Sequence, residues 1–238
     1  TTLFRSSYSI TIPYSVTSLG YDVFGGCSGL ESIEVDSNNE VYDSRENCNA
    51  IIETAENKLV VGSKNTIIPS SVTTIGGDAF HGCSGLTAIT IPDGVKSIEG
   101  GAFEWCTGLT SVSIPNSVTS IETMAFYGCA SLKEVFSYIE DPFEIYKDVF
   151  GGYFVDDHYV EFTTATLYVT VGTKAKYEAT PAWNLFQNIV EKDLTSIKEA
   201  VQQTFSATTS VIYSLSGQKL TMPKKGLNII DGKKVVIK

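Results

Sequence analysis

The stretch Leu86-Thr87-Ala88-Ile89-Thr90-Ile91-Pro92-Asp93-Gly94-Val95-Lys96-Ser97-Ile98-Glu99-Gly100-Gly101-Ala102-Phe103-Glu104-Trp105-Cys106 decides the fold, because its framework recurs directly before and after it. Pro69, Pro92 and Pro115 stand 23 residues apart, and so do Val72, Val95 and Val118, Phe80, Phe103 and Phe126, and Cys83, Cys106 and Cys129. A fixed period of this length marks a stacked solenoid rather than a globule. Within one unit, Ile89 and Ile91 alternate with polar residues as in a strand with one buried face. Pro92 ends that strand, since it has no N–H to give to a sheet ladder. Val95 and Ile98 make a second short apolar segment, Gly100-Gly101 turn the chain, and Ala102-Phe103 re-enter the core on an expected helical turn. Each unit has one apolar stripe and cannot bury it alone, so stacking supplies the partner.

Upstream, Ile12-Pro13, Val16, Leu19, Val23-Phe24, Cys27, Leu30, Ile33 and Val35 spell a first copy. Pro13 to Pro69 is 56 residues, two periods plus ten, so the stretch 36–65 reads as a divergent coil with an insertion. In it, Ile51-Ile52 and Leu59-Val60-Val61 flank the polar Glu56-Asn57, which predicts a β-hairpin that projects from the stack or pads it. Residues 1–8 run straight into the first coil without a capping pattern, so more sequence is expected upstream. The start Thr1-Thr2-Leu3, without initiator Met or signal-peptide pattern, reads as a processed or truncated end.

Downstream of Leu132 the pattern decays. Asp148-Val149-Phe150-Gly151-Gly152 echoes Asp22-Val23-Phe24-Gly25-Gly26 as a fifth, degenerate coil without its Cys. A strand at 166–171, a short helix opened by Thr173 and a second with Pro181 in its first turn predict a cap at about 136–192. Trp183, Leu185 and Phe186 are expected to cover the open end, because terminal repeats must be atypical to stay soluble. The polar stretch 196–208 suits a linker within the expected organisation of a 1–195 solenoid and a small β module at 209–238. In that module 211–215, 227–230 and 233–237 predict three strands, with Asp231-Gly232 a type I′ hairpin signal.

Charge divides the same way. Residues 1–195 carry 10 Lys/Arg against 25 Asp/Glu, a balance of −15, while 196–238 carry 7 against 2, a balance of +5. An acidic body disfavours nucleic acid, whose phosphates need a basic face. No apolar run approaches the roughly 20 residues needed to cross a bilayer. Of the five cysteines, Cys27, Cys83, Cys106 and Cys129 share one repeat position and Cys48 lies apart. A small thiol recurring after a Phe is read as packed and reduced in each coil. Cys-x-x-Cys and paired His patterns are absent, so no metal or cofactor is expected.

Catalytic chemistry finds no constellation. His81 falls at the variable position shared with Gly25, Glu104 and Tyr127, and reads as a solvated surface residue. His158, in Asp156-Asp157-His158-Tyr159, lacks a second His at ligand spacing. No nucleophile elbow, phosphate loop or calcium loop occurs. The expectation is therefore a binding protein and not an enzyme. Its candidate binding residues are the outward side chains of the strands, Glu34, Thr90, Ser113, Glu134 and Phe136. Two further candidates are Trp105, which replaces a Gly found at positions 26, 82 and 128, and Tyr127 one coil on. Small polar side chains make a flat face that a protein backbone or a glycan can approach, and exposed Trp and Tyr suit contact anchors.

The unit Ile-Pro-x-x-Val-x-x-Ile-x-x-x-Ala-Phe-x-x-Cys-x-x-Leu resembles the BspA-like class of bacterial leucine-rich repeats over residues 9–135, with a degenerate continuation to about 192. The resemblance implies a right-handed leucine-rich-repeat solenoid, mainly β with short helical turns, closed by an α+β cap and followed by the small β module. It further implies an exported, monomeric adhesion or protein-binding module, secreted or on the outer surface. Its implied partner is a host matrix or other extracellular protein, or a glycan, and the alternative is a carbohydrate-binding accessory or structural scaffold. The tail from Val211 resembles C-terminal sorting or anchoring modules of secreted bacterial proteins.

Overall fold

The computed structural model describes residues 8–155, 158–160 and 162–195, together with the strands Ile212–Tyr213, Lys219–Leu220, Gly226–Ile230 and Lys233–Ile237. The stretch 196–208 and the Asp156-Asp157 pair lie outside the described residues. Contacts divide the chain into two compact units, 1–193 and 194–238.

In the first unit a parallel five-stranded sheet takes one strand from each turn of the chain from residue 88 onward. Ala88–Thr90, Ser111–Ile114, Glu134–Ser137, Thr166–Thr170 and Asn188–Lys192 lie side by side in that order. The register places Ile89, Val112, Val135, Leu167 and Ile189 in one inward row, all buried. The period of 23 puts the same side chain at the same height in successive coils. A one-residue slip in any coil would turn that row outward. The first coil forms its own two-stranded sheet, Tyr8–Ile12 parallel to Leu30–Val35.

The Val-x-x-Ile segments build a second sheet on another side of the coil. Ser120–Ile121, Ser97–Ile98 and Thr74–Ile75 lie in order, and the inserted strands Lys58–Val61, Ile51–Glu53 and Tyr42–Asp43 continue it. The hairpin expected at 51–61 is present, and it belongs to the wall of the stack. Lys58–Val61 pairs parallel with Thr74–Ile75 and antiparallel with Ile51–Glu53. Arg45 fastens its far end, with Nη2 2.5 Å from Asp43 Oδ2, and Nη1 donating to Asn57 Oδ1 at 2.7 Å and Ser71 Oγ at 3.3 Å.

The core runs along the stack as a ladder of rings. Phe80, Phe103, Phe126 and Phe150 stack nearly parallel, with centroids 4.9, 5.0 and 5.1 Å apart. Burying such a ring and stacking it offset on the next are both favourable. Beside the ladder, the Cys106 thiol donates to the Phe80 carbonyl at 3.1 Å and the Cys129 thiol to Phe103 at 3.2 Å. The helical turn expected at Ala102-Phe103 is instead a chain of single turns, each closed by a hydrogen bond between residues three apart. The amide that a helix would use internally is spent on the neighbour, since Phe103 N donates to Ala125 O at 2.8 Å in the following coil.

The cap has the expected strand and a helix at Lys174–Ala179, with Trp183–Leu185 forming a single 3-10 turn. Trp183 and Phe186 are buried against Phe150, with centroids 5.8 and 5.2 Å from its ring. Leu185 is 46% exposed and does not cover the stack, correcting the expectation. Thr173 does not cap the helix through its side chain. Glu191 Oε1 performs that role, accepting from Gly172 N at 2.9 Å and Lys174 N at 3.0 Å. In the second unit, among the described residues, four antiparallel strands rather than three are ordered 219–220, 212–213, 226–230 and 233–237. Ile230 stands opposite Lys233, and Asp231-Gly232 lies outside the described residues.

Candidate binding face

Parallel register carries three of the candidate residues into one row. Thr90 pairs with Ser113 and Ser113 with Phe136, all half-buried on the outward face of the five-stranded sheet. Glu134 lies on the adjacent row, opposite Ser111 and Thr166. Glu34 does not join them. It is exposed on the separate sheet of the first coil, opposite Thr11.

The row continues past the last regular repeat, where it turns aromatic. Phe136 is paired with Tyr168, and the rings stack with centroids 5.0 Å apart and planes 14° from parallel. Val190, 42% exposed, follows in the row. Lys192 Nζ stands 5.0 Å above the Tyr168 centroid and 6.0 Å from that of Phe136, a cation over paired ring faces. The face thus grades from small hydroxyls at Thr90 and Ser113 to an aromatic end carrying a positive charge. Nothing in the sequence singles out Tyr168, Val190 and Lys192 for this face. Alternation at 166–171 signalled a strand, but its place beside Glu134–Ser137 depends on a parallel pairing that no local pattern encodes.

Trp105 and Tyr127 lie on the turn segments, away from that row. Their rings meet edge to face, 5.6 Å between centroids, and Trp105 is 39% exposed. The backbone at Trp105 is left-handed, φ 56°, as at Gly26, Gly82 and Gly128. A Cβ on Gly128 would stand 2.6 Å from the Trp105 indole, and one on Gly152 would overlap the Tyr127 ring. Each aromatic therefore lies over the glycine of the next coil. The two candidates form a partly exposed ledge that packs on itself.

His81 corrects the reading of a solvated surface residue. It is half-buried and its Nδ1 lies 2.9 Å from Asp22 Oδ2 across the junction between coils. His158 sits in the strand His158–Val160 opposite Val155. All five cysteines are free. Burial pushes the Cys48 and Cys83 thiols up to about 11 and Cys129 to about 12, and raises Cys106 further. These are packed thiols, far from the thiolate that nucleophilic or ligand chemistry needs. Among the described residues no group of three or more His, Cys, Asp or Glu is placed to hold a metal ion. No helix among them is long and apolar enough to cross a membrane.

A parallel sheet built one strand per coil, an aromatic spine and a proline-terminated strand define a leucine-rich-repeat solenoid. The model of the BspA type leucine-rich repeat region matches residues 3–56 and 60–163 in six copies, more than half of the chain, and the protein belongs to that family. No curated protein matches it. Among solved structures, a leucine-rich repeat protein from Eubacterium ventriosum is similar at 22% identity with a TM-score of 0.50, covering 77% of this chain and 48% of that one. A leucine-rich cell surface protein from Faecalibacterium prausnitzii aligns at 23% identity and TM-score 0.40, covering 81% of this chain and 50% of that one. The pneumococcal vaccine antigen PcpA aligns at 18% identity and TM-score 0.48, covering 78% and 56%. The chain spans about half the length of these proteins. Among them the Eubacterium likeness supports the fold, and the fold alone.

Proposed function

We propose that this protein is a non-enzymatic recognition module, secreted or displayed on the outer surface of a bacterium, that acts as a monomer in adhesion to an extracellular protein. The observation that carries this reading is the graded sheet face, flat and hydroxylated at Thr90 and Ser113, aromatic and cationic at Phe136, Tyr168 and Lys192. A rigid sheet presents such a row without ordering cost, and a Tyr with a cation beside it is the residue type found at interface hot spots. The 209–238 module, in this reading, is a sorting or anchoring signal joined through 196–208.

Surface plasmon resonance of the whole chain against immobilised matrix proteins tests the proposal. At least one protein should bind saturably, and Phe136→Ala/Tyr168→Ala should weaken it tenfold or more with an unchanged circular dichroism spectrum. Failure of every protein to bind removes adhesion. A second reading, glycan binding, rests on the Trp105 indole at 39% exposure. A glycan array response that Trp105→Ala abolishes would select it instead.

A further inference from the structure

The phenylalanine ladder is missing one ring, and a cavity lies where the ring is missing. Phe80, Phe103 and Phe126 each donate their amide to the carbonyl of the residue before the next ring, Ala102, Ala125 and Val149, all at 2.8 Å. One step upstream the donor to Ala79 O is Gly62 N at 2.7 Å. Gly62 thus holds the ladder position directly after the inserted strand, and a side chain there would overlap the Phe80 ring. Beyond it, Phe24 of the first coil is only half-buried and packs with a separate apolar cluster. Between Phe24 and Phe80 opens a cavity of about 480 Å³, within the range of small-ligand sites.

Its walls are apolar and acidic at once. Leu19, Phe24, Val60 and Val61 form the apolar part, while Asp22, Glu53, Asp78 and Glu99 bring four carboxylates. Both basic side chains of the wall are engaged. Lys58 Nζ lies 2.7 Å from Glu99 Oε2, and His81 Nδ1 lies 2.9 Å from Asp22 Oδ2. Glu53 has no ion pair among the described residues, and Asp78, although the Tyr21 hydroxyl hydrogen-bonds its carboxylate, keeps Oδ2 buried without a hydrogen-bond partner. A buried acceptor of this kind is costly unless a donor reaches it. The carboxylates are not gathered closely enough for a metal ion, but a cation on an apolar stem meets both kinds of wall.

We infer that this cavity binds the side chain of a lysine or arginine offered by a protein partner, its stem between Phe24 and Val60 and its charge facing Asp78 and Glu53. The chemistry stands on the cavity itself, while a protein as the source of the cation rests on the function proposed above.

Protein-observed NMR with four small probes tests it on the intact chain: N-acetyl-arginine methylamide, N-acetyl-lysine methylamide, n-butylamine, and neutral N-acetyl-norleucine methylamide. A blocked arginine or lysine should shift the Gly62 and Gly77 amides saturably, and norleucine should not. Asp78→Asn/Glu53→Gln should weaken binding at least tenfold at unchanged melting temperature, and Val60→Trp, which fills the cavity, should abolish it. Absence of binding by both blocked cations, or binding of butylamine alone, overturns the inference. So does a matrix-protein partner bound equally by wild type and Asp78→Asn/Glu53→Gln, and in that case adhesion through the sheet face stands. Binding of the blocked cations by a chain that binds no protein removes adhesion and leaves the cavity as a cation site.

Discussion

The regular coils from Val72 to Leu132 and the junction at 36–65 solve one problem differently. In the regular coils a ring covers a ring, Phe103 lying between Phe80 and Phe126 at 4.9 and 5.0 Å. At the junction a strand is inserted, Gly62 stands in the ladder position, and the first coil's Phe24 stays half-buried in its own cluster. Stacking can therefore continue through its backbone bonds while the side-chain spine stops. The backbone gives continuity, and the repeated ring adds apolar burial that Gly62 cannot supply.

The largest expected effect breaks the comparison at its strong side. Phe103→Ala should cost about 3 to 5 kcal/mol, the range for deleting a fully buried ring. Phe24→Ala should cost less than half as much, and the outward Thr90→Ala should stay within about 0.5 kcal/mol. Urea midpoints at constant slope measure all three. Equal midpoints for Phe103→Ala and Phe24→Ala would mean that the spine is continuous and the junction is no boundary. Gly62→Val comes next. Its side chain must displace the Phe80 ring, and overpacking of this kind costs about 1 to 3 kcal/mol. A neutral Gly62→Val would show that the cavity absorbs the displaced ring.

The strong side was legible in the sequence and the junction was not, for a physical reason. Phe80, Phe103 and Phe126 contact their own copies one period away, so periodicity alone predicts the contact. Pro92 and the alternation at Ile89 and Ile91 likewise act within a few residues. The hairpin strands at 51–53 and 58–61 were readable as strands, yet their place in the second sheet depends on Leu59 pairing with Ile75, which no repeat announces. The candidate face was legible in the same proportion. Thr90, Ser113 and Phe136 follow from the repeat, whereas Tyr168 and Lys192 come from strands after the pattern decays. Glu34 was placed with them by repeat position, but the insertion separates its sheet from theirs. Thr173 stands at the helix N-cap as expected, but Glu191 supplies the capping bonds, and Trp183 and Phe186 rather than Leu185 meet Phe150.

Glycines at the shared left-handed corner give a finer comparison. Gly26 and Gly128 have nearly the same φ, 70° and 72°, but Gly26 has open space where a Cβ would go and Gly128 has the Trp105 indole 2.6 Å away. Gly26→Ala should cost about 1 kcal/mol, the backbone penalty alone. Gly128→Ala should cost about 1 kcal/mol more through the clash, and Trp105→Ala should remove that excess in a double-mutant cycle. An excess that survives without the indole would show that the corner itself, and not ring over glycine, sets the cost.

The smallest effect leaves stability untouched and reads where the stack opens. Cys27, at the junction, is half-buried, whereas Cys48, Cys83, Cys106 and Cys129 are fully buried with thiols held protonated by desolvation. Cys27 is raised too, by burial first and then by the Asp22 charge, so its reaction with iodoacetamide should be slow at pH 7 and quicken as pH rises. At fixed pH, mass spectrometry should find Cys27 alkylated first. Cys83, which lines the same cavity, should follow in low urea, and Cys106 and Cys129, inside the regular coils, should react only with global unfolding. That order is required if local opening begins where apolar contacts are sparse. Simultaneous labelling of Cys83 and Cys106 in low urea would mean that the solenoid opens as one cooperative body and that the missing ring has no energetic consequence.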